Sequence, residues 1–225
     1  MRDRLIAHNP AKNIRLPRKT KSAIVPPTID QVEAVIAEMP DRYRALVTLA
    51  AGTGLRQGEC FGLSVDRVDF LRRSIAVDRQ IVLAGSDPPE FGPPKTEASI
   101  RTVPLPQVVA EALASHLEQW SPGPDDLIFT NSNGGIVRRN RFNEIWRPAT
   151  ERAGVESLRF HDLRHFYASL LINHGESVKV VQARLGHASA SETLDTYAHL
   201  WPDNEDRTRA AVDEVLGLQR ERRSS

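Results

Sequence analysis

From Thr28 onward, apolar residues recur with the period of an α-helix. The first such stretch, "TIDQVEAVIAEM", places Thr28 as an N-cap and Gln31 at the capping-box position. A second, "DRYRALVTLAAG", runs into the glycine-rich "GTG", after which Arg56 and Glu59 open a short helical segment, "RQGECFGL". The period then changes to two. "SIAVDRQIVL" and "IRTVPLP" read as strands of a small antiparallel sheet, with the Pro/Gly-rich "GSDPPEFGPPK" between them and Lys95 near the turn. Helical spacing returns at 106–119, "LIFT" reads as one more short strand, and helices follow over 139–153, 161–174, 177–185 and 190–200. After a break at Pro202 comes an amphipathic helix, "NEDRTRAAVDEVLGLQ". No internal repeat is visible. The predicted class is α+β, mostly α with a small antiparallel β-sheet.

Composition narrows the picture without naming a function. The 225 residues are 40% hydrophobic and 26% charged, and no apolar run approaches the roughly 18 residues that span a bilayer. Cys60 is the only cysteine, so no internal disulfide can form, and a reducing, cytoplasmic setting is expected. The net charge is only +1, yet its distribution is uneven. Residues 1–22 hold Arg2, Arg4, Lys12, Arg15, Arg18, Lys19 and Lys21 against the single acid Asp3. Such a segment is most often a solvated arm; it is also what lies along phosphates.

The helix over 161–174, "HDLRHFYASLLINH", sorts into two faces. Leu163, Phe166, Tyr167 and Leu170 share one, and His161, Arg164 and His165 share the opposite one. Such a polar trio usually faces water. Two histidines four apart also suit zinc, but a guanidinium one turn along repels a dication and suits an anion. Arginine grips phosphate with a planar fork that lysine cannot copy. Arg56, with Glu59 one helical turn on to hold it, is the natural second arm, although an isolated pair at that spacing is ordinarily a surface ion pair.

In chain order the sequence carries Arg56 in "TGLRQGE", Lys95 in "PPKTEASIRTVPLP", His161 and Arg164 in "HDLRH", His187 in "LGHAS" and Tyr197 in "TLDTYAHL". This series resembles the tyrosine recombinases, the phage-integrase family, over residues 23 to 200. The hairpin is more like those of integrases than the "GKGxKxR" hairpin of the chromosome-dimer-resolving branch. The resemblance implies a catalytic domain over 23–202 with the DNA breaking-rejoining fold. It makes 1–22 a basic linker, the remnant of an N-terminal core-binding domain, and 203–225 a C-terminal tail that docks on a neighbouring protomer.

The implied activity is site-specific DNA recombination by transesterification, with no metal or other cofactor. Tyr197 is the nucleophile, attacking a phosphodiester to leave a 3′-phosphotyrosine and a free 5′-hydroxyl. His161 takes the phenolic proton, Arg56 and Arg164 neutralise the non-bridging oxygens, and His187 adds a hydrogen bond. Lys95 is the general acid for the leaving oxygen. Glu59 and His165 support this set, and Arg15, Arg18, Lys19 and Lys21 are expected on the DNA backbone. His199 is expected to stand aside, while Leu194, Leu200 and Trp201 anchor the helix of Tyr197. The implied partners are double-stranded DNA, further copies of the chain (a tetramer on DNA, a monomer when free) and a DNA-bending accessory protein. No membrane is involved; the expected location is the bacterial cytoplasm, at the nucleoid when active. A topoisomerase-like nicking and closing activity, or a non-catalytic DNA-binding protein of the same fold, stands as the alternative.

Overall fold

The computed structural model describes residues 23–82, 89–94, 96–201 and 205–224. Arg15, Arg18, Lys19 and Lys21 of the basic arm, Lys95 of the hairpin and Pro202 lie outside the described residues. Three helices open the fold: α1 (Ile29–Glu38), α2 (Asp41–Thr53) and the short α3 (Gln57–Phe61). Strands β1 (Val68–Asp69), β2 (Ser74–Val77), β3 (Gln80–Val82), β4 (Glu90–Gly92) and β5 (Arg101–Pro104) follow. Then come α4 (Gln107–Gln119), α5 (Arg139–Arg152), α6 (Asp162–Asn173), α7 (Val178–Leu185), α8 (Ala190–Tyr197) and α9 (Glu205–Ser224). The chain is mostly helical with small antiparallel sheets, the class its periodicity predicts. Among the described residues no helix is long and apolar enough to cross a membrane.

Local signals hold where they are strong. The Thr28 hydroxyl accepts from the Gln31 amide and the Gln31 side chain accepts from the Thr28 amide at 2.9 Å, a reciprocal capping box that starts α1. The sheet region departs from the single-strand reading of "SIAVDRQIVL". That run splits at Asp78–Arg79, with β2 pairing β1 and β5 in one sheet and β3 pairing β4 in another. The two charges cause the break, because each is tied sideways. Both Asp78 oxygens accept from the single Arg67 Nε, at 3.0 and 2.9 Å, and Arg79 turns to Ser64 and lies over the Phe91 ring. "LIFT" forms no strand. Leu127, Ile128 and Phe129 are fully buried, but only the isolated bridges Ser64–Leu127 and Thr130–Ile136 flank them.

Two hydrophobic clusters share one helix. The larger joins α1–α5 and the strands, and includes the edge-on aromatic set Phe61, Phe142, Trp146 and Phe160. Each fully buried side chain of this kind contributes roughly 1.5–3 kcal/mol. The smaller unites Tyr167, Ala168, Ile172, Val181, Leu185 and Tyr197. Helix α6 enters both, giving Leu163 and Phe166 to the first and Tyr167 and Ile172 to the second. Of the polar trio read from sequence, only His161 therefore faces water. Arg164 and His165 are buried on the seam between the clusters, which corrects the two-faced wheel read from sequence.

Helix α2 ends at Gly54, whose φ of +64° lies in the left-handed region. A Cβ there would meet the Tyr167 ring at 2.4 Å. The turn also aims the Gly54 carbonyl at the Arg164 guanidinium, 2.7 Å away. We expect Gly54→Ala to cost about 2–4 kcal/mol, from the backbone penalty plus overpacking, measured by urea unfolding.

Candidate active site

The site forms where the starts of α3 and α6 meet the turn after α7. Arg56 caps α3, and its Nη1 donates to Glu59 Oε1 at 2.9 Å and to Ser99 Oγ at 3.2 Å. Its Nη2 donates to the Gly186 carbonyl at 3.2 Å. Glu59 is 2% exposed and also accepts from the Arg56 amide at 2.8 Å. A third arginine completes the pair. Arg101, at the start of β5, donates to Glu59 Oε2 at 2.8 Å and Oε1 at 3.2 Å, and its Nε donates to the Arg184 carbonyl. Arg164, 3% exposed, donates to the carbonyls of Gly54 and Leu185 at 2.7 and 2.6 Å.

Three guanidinium groups thus crowd around one buried carboxylate. Burial acts first on Arg164, then the Arg56 charge, and together they bring its pKa down to about 9. It stays protonated at neutral pH, and the field that lowers it is one that an anion would relieve. Glu59 is held below the ordinary carboxylate range. Burial opposes this, and the hydrogen bond and charge of Arg101 followed by Arg56 outweigh it.

The histidines and the tyrosine lie beside this nest. Tyr197 is 1% exposed, and its hydroxyl lies 2.8 Å from His165 Nδ1. With the ring neutral and Nδ1 unprotonated, the phenol donates this bond. His161, which caps α6 and reaches solvent, meets the His165 ring edge-on at 5.0 Å between centroids. His187 stacks parallel to Tyr197 at 6.3 Å, and its Nδ1 lies 2.8 Å from the Thr193 hydroxyl. Burial lifts the Tyr197 phenol to about 12, against a smaller opposite pull from Arg164. Burial likewise brings His161 down to about 4, helped by His165 and Arg164, and His187 to about 4, helped by Arg164.

Of the residues singled out in the sequence, Arg56, Glu59, His161, Arg164, His165, His187 and Tyr197 converge here. The direct contact on the Tyr197 hydroxyl comes from His165. The expected anchors of α8 are partly corrected. Leu200 and Trp201 pack on the small cluster with Tyr197, but Leu194 is 42% exposed, because it falls on the outer side of α8. His199 donates from Nε2 to the Ile24 carbonyl at 2.8 Å, tying the end of α8 to the first described residues. Arg101, Ser99 and Thr193 were missed. Arg101 stood inside the hairpin string, but nothing in strand periodicity tells a buried arginine from an exposed one.

Residues 28–203 match the phage integrase family, which covers more than half of the chain. An XerC-like tyrosine recombinase of Caldanaerobacter subterraneus is 33% identical over 181 residues, 72% of this chain and 46% of that protein. The ICEBs1 integrase of Bacillus subtilis is 27% identical over 236 residues, covering 95% of this chain and 61% of that protein. In fold, the chain superimposes with a TM-score of 0.75 on the Tn1549 transposon integrase in complex with transposon right-end DNA, at 21% identity, over 94% of this chain and 73% of that one. The chain belongs to the phage integrase family, the tyrosine recombinases. It spans about half the length of the curated relatives it matches.

The histidine shifts carry a sign for stability. A folded-state pKa of about 4 against 6.5 means that between these values the unfolded chain binds more protons than the folded one. Stability therefore falls as pH drops from about 6.5 towards 4. His187→Gln should flatten this acid limb, read as the melting temperature across that range; a parallel profile in the variant would contradict it.

Proposed function

We propose that residues 23–202 form the catalytic domain of a site-specific DNA recombinase of the integrase type. One observation carries the reading: a tyrosine hydroxyl held by a histidine, beside the buried Arg164 and two further arginines, Arg56 and Arg101, that share a single buried carboxylate. A core tyrosine needs no such neighbours, and a plain phosphate binder needs no tyrosine. Tyr197 attacks a DNA phosphodiester, its oxygen bonding to phosphorus as the 5′-oxygen leaves, and a second 5′-hydroxyl reverses the step. The bond energy is kept in the 3′-phosphotyrosine.

The barrier has an identifiable origin. Ionising a phenol of pKa about 12 at pH 7 costs about 7 kcal/mol, from 1.36 kcal/mol per unit. A base must remove the proton as attack proceeds. His165 holds the phenol in the resting arrangement, and His161, on the solvent side of the pair, takes the proton once Tyr197 swings out to the phosphate. Arg56 and Arg164 meet the charge on the non-bridging oxygens, His187 donates a further bond, and Lys95 protonates the leaving oxygen.

The partner is double-stranded DNA. A cavity of about 880 Å³ opens from Arg56 and His161 along Arg139, Arg147 and Arg159, with Glu156 the one acid among its described lining residues. Arginines along such a groove neutralise phosphates, and Arg15, Arg18, Lys19 and Lys21 are further candidates for contacts to the DNA backbone. Further copies of the chain join on DNA as a tetramer, with an accessory protein to bend it, inside the bacterial cytoplasm. Helix α9 supports the assembly: Val212, Val215 and Leu216 lie at helical spacing and more than half exposed.

Incubation with nicked suicide DNA bearing the core site, in EDTA, should give an SDS-stable adduct that Tyr197→Phe abolishes while DNA binding persists. No adduct on any cognate DNA would sink the enzyme reading. Deleting residues 206–225 should weaken multimer formation on DNA in band-shift assays and leave the melting temperature within a few degrees; undiminished assembly would remove the docking role.

A further inference from the structure

Arg56 is held by three anchors: the Glu59 carboxylate, the Ser99 hydroxyl and the Gly186 carbonyl. A single residue braces all three. Arg101 bonds both oxygens of Glu59, donates to the Ser99 carbonyl at 2.8 Å and holds the Arg184 carbonyl at 2.9 Å, two residues before Gly186. It also packs against Gly186 itself, where an added Cβ would lie 3.1 Å from Arg101 Cδ. Every nitrogen of its guanidinium is engaged with protein, and its side chain is 6% exposed. Four of its five N–H groups are thereby spent on protein, so its main bonds are structural.

We propose that Arg101 is a positioning residue: it acts through Glu59, Ser99 and the turn after α7 to aim the Arg56 guanidinium at the scissile phosphate. The inference rests on the recombinase reading above. Each Glu59 oxygen is shared between the two arginines, so the carboxylate sets their spacing. Without Arg101, a buried carboxylate keeps one partner in place of two. Burial then favours its neutral form, and Arg56 loses the charged half of its fork. The turn that supplies the Gly186 carbonyl also leads into His187, so the same guanidinium steadies a second phosphate-facing group.

A purely structural role and a positioning role separate in the following experiment. Single-turnover formation of the phosphotyrosyl adduct is measured for wild type, Arg101→Lys and the double variant Arg101→Met/Glu59→Gln, with melting temperature and DNA affinity alongside. The double variant removes the carboxylate together with its partner, so it folds without an orphaned buried charge even where Arg101→Lys does not. Both variants should bind DNA within a few-fold of wild type and form the adduct about 100-fold more slowly, the scale of an ångström misplacement. On DNA with a methylphosphonate at the scissile position, which lacks the charge that Arg56 meets, the deficit should shrink to a few-fold. A folded variant with wild-type rate overturns the inference, and so does a deficit equally large on both substrates. If wild type itself forms no adduct, the recombinase reading fails and this inference falls with it; an adduct in wild type beside an equally fast variant removes the inference alone.

Discussion

The arrangement depends on the C-terminal end of α7. Its last carbonyls, Arg184, Leu185 and Gly186, have no intrahelical partners, and each accepts from a different arginine: Arg101, Arg164 and Arg56 in turn. A helix terminus carrying partial negative charge is a natural seat for cations. Gly186, in the left-handed region at φ +64°, lets the His187 amide return to the Gln182 carbonyl and leaves those three carbonyls facing the guanidinium groups. Strand β5, helix α6 and the start of α3 are pinned to one another by this turn.

Such a nest is poor engineering for stability alone. Buried ion pairs seldom outperform well-packed apolar residues, and here two cations share one buried carboxylate with a third, Arg164, beside them. Burial first, and then the neighbouring positive charge, lower Arg164, and that charge favours whatever brings a negative one. A phosphodiester would do so, and in the proposed reaction the charge it gains in the transition state would meet groups already oriented.

Placement of α6 explains how cations and nucleophile come to adjoin. A helix serving two hydrophobic clusters has a strip belonging to neither, and Arg164 and His165 occupy it. From there Arg164 reaches back to Gly54 and His165 reaches forward to Tyr197. The tyrosine completes the smaller cluster, so the proposed nucleophile also packs the core. Burial raises its pKa and keeps the phenol neutral.

Much of this protein is local and was legible along the chain. The capping box at Thr28 and Gln31, the helical periods, the glycine turns and the ordered series Arg56, His161, Arg164, His187 and Tyr197 are set by residues within a few positions of one another. Other features needed the fold. The splitting of residues 74–82 follows from the ion pair of Asp78 with Arg67 and the hydrogen bond of Arg79 to Ser64, and the burial of Arg164 and His165 follows from a second cluster built by α7 and α8. The brace formed by Arg101 arises from partners on α3 and α7, 42 and 83 positions away. Periodicity reports which side of an element is apolar. Only the packing of distant elements decides whether its polar side meets water or another wall of the protein.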